Sequence, residues 1–200
     1  MISVTIATQN FRFLYNLKEI LSDIKEIKTN HILPSEPVPK DSDVIITTEI
    51  EKNLIANSKN VFIPKTFNVY YLYSNICLIK NEKEAFEDII IGIDPGETSG
   101  IAVIANKTII LRAAEFYNTT DIIREIISVF FNIETENFVI KIGSGGGETK
   151  LEIIKKLDKV FHGKIPIRII KEDFTSKKGN EFEKSKYTKN MISAILIAKK

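Results

Sequence analysis

Ile89-Ile90-Ile91-Gly92-Ile93-Asp94-Pro95-Gly96-Glu97-Thr98-Ser99-Gly100-Ile101-Ala102-Val103-Ile104 decides the fold of this chain. Two aliphatic segments of strand length flank a turn rich in Gly, Pro and hydroxyl residues, the pattern of a β-hairpin whose strands are largely buried. Asp94 ends the first strand. A carboxylate there stands close to low-dielectric packing, where its charge is costly unless a cation or hydrogen-bond donors compensate it. Asp-Pro-Gly is also ordinary turn chemistry, so these residues alone leave Asp94 either a turn cap or a ligand.

Downstream, residues 108–113 read as a third strand and 120–131 as an amphipathic helix. Residues 137–142 form a strand that enters Gly143-Ser144-Gly145-Gly146-Gly147-Glu148. Leu151, Ile154 and Leu157 mark a second helix and residues 165–170 another strand. Residues 187–198 read as a terminal helix with Met191, Ile192, Ile195 and Leu196 on its apolar side. The order β-β-β-α-β-α-β-α is an antiparallel meander followed by parallel strands joined by helices. Hydrophobic-Gly-Ile-Asp-Pro-Gly, then hydroxyl residues, then Gly-Ile-Ala-Val resembles the opening hairpin of the RNase H-like superfamily, in its RuvC and YqgF-like branch of resolvases and predicted nucleases. The resemblance covers residues 88–200 and implies an RNase H-like mixed α/β domain. It also implies a metal-dependent nuclease or nucleic-acid-processing activity on structured DNA or RNA, with Asp94 as a metal ligand. It leaves the oligomeric state open, a homodimer included.

Cutting a phosphodiester with two cations about 4 Å apart takes several carboxylates converging from different elements. In a sheet with parallel strands those residues lie just beyond the carboxyl ends of the strands. Three places qualify: Asp94 with Glu97, the loop ending in Glu148, and Glu172 with Asp173. The catalytic candidates are Asp94, Glu148 and Asp173, and the metal candidates are Asp94, Glu172 and Asp173. Oxygen donors of this kind suit Mg²⁺ or Mn²⁺. For phosphate the candidates are Gly145, Gly146 and Gly147, with Thr98, Ser99, Lys177 and Lys178. Consecutive glycines let the backbone approach an anion, and free amides at a helix start favour phosphate. The spacing is not that of a P-loop, because Glu148 and Thr149 occupy the positions of its Gly-Lys. Glu148 also suits a helix N-terminus on dipole grounds alone, and the mixed-sign run around Lys177 and Lys178 also reads as a solvated loop.

Three departures from the family pattern are visible. Resolvases of this branch carry a Glu at the end of the fourth strand, where this chain has Ile142-Gly143-Ser144; YqgF-like proteins instead have a glycine-containing loop, which residues 140–149 resemble. Lys171-Glu172-Asp173-Phe174-Thr175-Ser176 resembles the Asp-Glu-Arg-Leu-Thr-Ser segment of that branch, but places Lys171 and Asp173 against its Asp and Arg. The terminal helix has Lys189-Asn190-Met191-Ile192-Ser193-Ala194 where the family has a metal-binding Asp. Two alternatives therefore stand beside the nuclease: a catalytically degenerate nucleic-acid-binding or assembly module, and a phosphate- or ATP-binding protein of the actin-like ATPase type. The last needs a duplicated domain, and no second Asp-x-Gly hairpin is present.

The N-terminal part reads as a small α/β domain over residues 1–80, joined by a linker at 81–87 to the domain at 88–200. Residues 2–7 and 43–47 are strand candidates on either side of a helix at 11–24, giving a βαβ unit. Pro34, Pro37 and Pro39 mark the connecting loop, residues 49–56 a short helix, and 61–63 a third strand. No Gly-x-Gly-x-x-Gly follows the first strand, so a dinucleotide site has no support. Tyr70, Tyr71 and Tyr73 read as packing area rather than as stacking platforms for bases. With 28 basic and 26 acidic side chains, the net charge of +2 provides no global basic field, and any contact with nucleic acid is local. One cysteine, Cys77, excludes an internal disulfide and a multi-cysteine zinc site, which fits a reducing cytoplasm. The N-terminus lacks the features of a signal peptide, and no apolar run approaches the roughly 20 residues that cross a bilayer.

Overall fold

The computed structural model describes residues 1–56, 59–171 and 187–200. It divides into two units, Met1–Glu84 and Ala85–Lys200. The first holds β1 (Ile2–Ala7), α1 (Phe11–Ser22), β2 (Ile27–Ile32), β3 (Val44–Ile46), β4 (Val61–Phe62) and α2 (Val69–Lys80). Its sheet runs β2-β1-β3-β4 with every pair parallel. Asn10 caps α1 by accepting the Phe13 N–H, and Leu17 and Leu21 are the helix's buried face. Asn68 caps α2 in the same way for Tyr70 and Tyr71. Tyr70 and Tyr73 are buried, so packing takes those rings.

Two expectations for this unit are corrected. The first βαβ unit closes on β2, not on the strand at 43–47, which lies on the other side of β1. Ile27-Lys28-Thr29-Asn30-His31-Ile32 is a half-exposed edge strand, and its polar alternation lacks the aliphatic run that marks a central one. Over residues 49–56 there is only one 3₁₀ turn, Lys52–Leu54. The segment is drawn instead to the end of β1, where the Glu51 carboxylate accepts from the Thr8 hydroxyl, the Gln9 N–H and the Thr48 hydroxyl, each at 2.7 Å.

Burial pushes the Glu51 pKa up, but the Gln9 N–H and the two hydroxyls outweigh it and hold the carboxyl below its reference value of 4.5. A carboxylate whose pKa is depressed by folding contributes stability above its unfolded pKa and loses it as pH falls through the folded one. Glu51→Gln is therefore expected to lower the urea midpoint at neutral pH, with the gap to wild type narrowing below pH 4.5. A gap of constant size across the acid range would contradict this.

The second unit holds β5 (Phe86–Asp94), β6 (Ser99–Ala105), β7 (Ile109–Phe116), α3 (Thr119–Asn132), β8 (Thr135–Gly143), α4 (Gly147–Phe161), β9 (Ile167–Ile170) and α5 (Lys189–Lys199). Its sheet order is β7-β6-β5-β8-β9. The β5, β6 and β7 strands form an antiparallel meander, and β8 and β9 run parallel to β5. This is the mixed α/β arrangement, an antiparallel meander followed by parallel strands, that the sequence implied. Strand alternation sends Ile89, Ile91 and Ile93 to one face, where all three are fully buried. Ile90, Gly92 and Asp94 take the other face, which α5 covers by packing Ala194, Ile195 and Ala198 on Ile90, Ala102 and Ile104.

The approach of α5 is close. A Cβ at Gly92 would collide with the carbonyl oxygen of Ala194 and with the N and Cβ of Ala198, and one at Gly100 with the Asn190 carbonyl. The helix therefore buries Ala194, Ile195, Ile197 and Ala198; of the expected apolar side Ile195 is buried, and Met191, Ile192 and Leu196 are half-buried. In α4 the buried face is Ile153, Leu157 and Phe161, and Leu151 is exposed. Under the last turn of α5 lies Lys141 of β8, 8% exposed, whose Nζ donates to the Ala198 carbonyl at 2.7 Å. Desolvation, with the nearby Arg168 charge, holds this ammonium below the usual lysine pKa. No helix among the described residues is long and apolar enough to cross a membrane.

Candidate functional site

Asp94 is the last residue of the central strand, and register fixes its neighbours. It pairs with Gly100 of β6, and Gly100 pairs with Glu115 of β7. Paired residues share a face, so Asp94, Gly100 and Glu115 form one row on the side covered by α5, with strands about 4.8 Å apart. Glu115 accepts a hydrogen bond from the Thr188 hydroxyl at 2.6 Å, and that same hydroxyl oxygen caps α5 by accepting the Met191 N–H. Glu115 thus anchors the start of the helix whose first turn passes over Gly100. Glu115 was not singled out from the sequence; its signal was a carboxylate near the end of a mainly apolar strand.

On the other side of β5, Ile93 pairs with Ile142, which puts Gly143 level with Asp94. The residue level with Asp94 at the end of β8 is therefore a glycine, which offers no carboxylate. Beyond it the glycine loop turns back onto the hairpin. Gly146 has φ +74°, and a Cβ there would collide with the Pro95 carbonyl and ring. Two of the segments singled out from the sequence, the Asp94 turn and the 145–147 loop, are therefore in direct contact.

The remaining candidates separate. Glu148 is exposed on the first turn of α4, and Glu97 is exposed on the hairpin turn. Ser99 is 2% exposed, and its hydroxyl accepts the Gly96 N–H at 3.2 Å and donates to the Gly96 carbonyl at 3.1 Å, so it braces the turn. Thr98 is half-buried and Gly145, Gly146 and Gly147 are exposed. Glu172, Asp173, Lys177 and Lys178 lie outside the described residues.

Among the described residues no group of three or more His, Cys, Asp or Glu side chains stands close enough together to hold a metal ion. Gly143, level with Asp94, and Asn190, in the first turn of α5, supply no carboxylate. The described donor set is one strand-end carboxylate, with Glu115 two strands away and engaged by Thr188. This set does not fit a two-cation centre, which needs several converging carboxylates. One divalent cation with most of its water retained is compatible with a single carboxylate.

No family model matches the chain, and no curated protein does. Among solved structures the chain is similar to Marinitoga piezophila Argonaute, whose crystal structure is a complex with 5′-OH guide RNA and target DNA. The identity is 14% and the TM-score 0.31. The match covers 85% of this chain and 38% of that Argonaute, so the chain spans well under half of its length.

Proposed function

We propose that the C-terminal unit is a nucleic-acid-processing domain of the RuvC and YqgF-like type, acting on structured DNA or RNA, in which Asp94 is the first ligand of a Mg²⁺ or Mn²⁺ ion. One observation carries this reading: Asp94 closes the central strand at its carboxyl end, and the exposed Gly146 packs against the next residue. Carboxyl ends of parallel strands are where ligands gather, and backbone amides at a helix start suit phosphate oxygens. When bound, the ion polarises a phosphodiester oxygen and neutralises its charge. The chain's own part is to hold that ion at Asp94 and to bring the backbone of Gly145 to Gly147 to the same phosphate. Cleavage needs further acids, and Glu172 and Asp173 are the residues of the sequence that answer to them.

A second reading, a binding or assembly module without cleavage, is favoured by Gly143 and Asn190 at two acid positions. Labelled branched DNA and structured RNA incubated with Mg²⁺ or Mn²⁺ separate the two. Wild-type protein is expected to cut one of them. Asp94→Asn is expected to lose at least about a hundredfold in rate, the loss that even outer partners of metal sites can reach, while still binding. Salt-sensitive binding without cutting in both proteins would establish the second reading. Absence of binding to either nucleic acid would remove both.

A further inference from the structure

A cleft of about 430 Å³ opens between the hairpin turn carrying Glu97, the start of α3 and one side of α4. Among the described residues its one cation is Lys156, and an ammonium has three N–H donors. All three are spent inside the protein: on Glu152 at 2.8 Å, on the Thr119 hydroxyl at 2.6 Å and on the Thr120 hydroxyl at 3.2 Å. The Thr119 hydroxyl in turn donates to Glu152 at 2.7 Å. The positive charge is thus neutralised within the wall, and Glu97 adds a second negative one. A phosphate entering here would lose its hydration with no free cation among the described residues to receive it.

The groups left open have a different chemistry. The Glu97 carboxylate is exposed and unengaged among the described residues. The Thr120 oxygen accepts from Lys156 and keeps its own proton to donate. The Tyr117 ring, 80% exposed, presents an apolar face on the cleft wall. A carboxylate acceptor, a hydroxyl donor and an aromatic face complement a sugar that offers one hydroxyl beside an acceptor oxygen and carries a flat ring. The volume falls in the range of small-molecule sites.

We propose that this cleft takes the ribose and base of one RNA nucleotide, the base against the Tyr117 ring, the 2′-hydroxyl donating to Glu97 and a neighbouring sugar oxygen accepting from the Thr120 hydroxyl. The inference rests on the nucleic-acid reading above and names its substrate class as RNA rather than DNA, because the 2′-hydroxyl is the donor that Glu97 reads. Two residues, Pro95 and Gly96, separate Glu97 from Asp94, which keeps the two within about 10 Å along the chain. A nucleoside held here therefore lies near the sheet edge where Asp94 and the glycines stand. That adjacency favours a nucleic acid over a free oligosaccharide as the source of the sugar.

The test is fluorescence anisotropy without divalent cations, using single-stranded oligouridine about ten nucleotides long, its deoxyuridine counterpart and a labelled neutral oligosaccharide. Wild-type protein is expected to bind the RNA about tenfold more tightly than the deoxy strand. Tyr117→Ala is expected to weaken RNA binding by on the order of tenfold, the scale of one lost base stack, and Tyr117→Phe to restore it. Glu97→Ala is expected to erase the preference for RNA, bringing the affinities for the two strands together. Equal wild-type affinity for the two strands, a preference that survives Glu97→Ala, or tighter binding of the oligosaccharide would each overturn the inference and leave the nucleic-acid reading standing. Binding of neither strand, with branched and structured substrates also unbound, would overturn both. Both side chains are exposed, and matching thermal melts establish that each variant is folded.

Discussion

Gly92→Val is expected to cost about 3 kcal/mol or more of stability, the upper end of overpacking penalties. The reason lies in which atoms it would meet. A Cβ on Gly92 runs into the Ala194 carbonyl and the backbone nitrogen of Ala198, and neither can rotate aside as a side chain can. The helix must lift from β5, and its lifting undoes the packing of Ile195 on Ile90, Ala102 and Ile104. Urea titration followed by circular dichroism is the measurement, with Gly92→Ala as the smaller step in the same direction. A Gly92→Val protein with the wild-type midpoint would mean that α5 does not rest on this strand.

Gly146→Val is the second large effect, and it combines two penalties. Gly146 sits at φ +74°, where an L side chain costs about 1–2 kcal/mol and a β-branched one is worst placed. Its Cβ would also strike the Pro95 carbonyl and ring, forcing the loop away from the turn that follows Asp94. Gly147 supplies the control, since it has φ +42° but nothing within 4 Å of an added Cβ. Alanine at 147 is therefore expected to carry the conformational cost alone, about 1 kcal/mol, whereas alanine at 146 carries that cost and the collision. Thermal melts and nucleic-acid affinity measured on both variants check the difference. Equal destabilisation at the two positions would mean that the packing of loop on turn contributes nothing.

The C-terminal sheet was legible because its central strands are aliphatic runs broken by Gly and Pro, and such runs declare burial on both faces. The polar edge strand β2 was not legible, because Lys28, Thr29, Asn30 and His31 offer no apolar period and the strand is held by pairing with β1. The helix expected at 49–56 gave way to a hydrogen-bonded loop because Glu51 finds donors 42 and 43 residues away, which no local propensity contains. In the candidate site, Asp94 and the glycine loop could be read from the hairpin and strand-end patterns. Glu115 could not, because its place beside Asp94 follows from register across two strands. The Tyr117 and Lys156 cleft was likewise hidden, since it is assembled by the start of α3, one side of α4 and a turn that are distant in sequence.

Lys141 gives the helix over the sheet a particular energetic character. An ammonium ion that has surrendered its water to a single carbonyl is rehydrated as soon as the overlying helix moves off, and that rehydration offsets part of the cost of exposing the apolar interface. Detachment of α5 as a local opening, short of global unfolding, is accordingly cheaper than its apolar interface alone would make it. Raising the pH toward the free-lysine value of 10.5 removes this bias, because a base whose pKa folding depresses stabilises the closed form as it loses its proton. The lid over the Asp94 face is thus fastened more tightly in alkali than at neutrality.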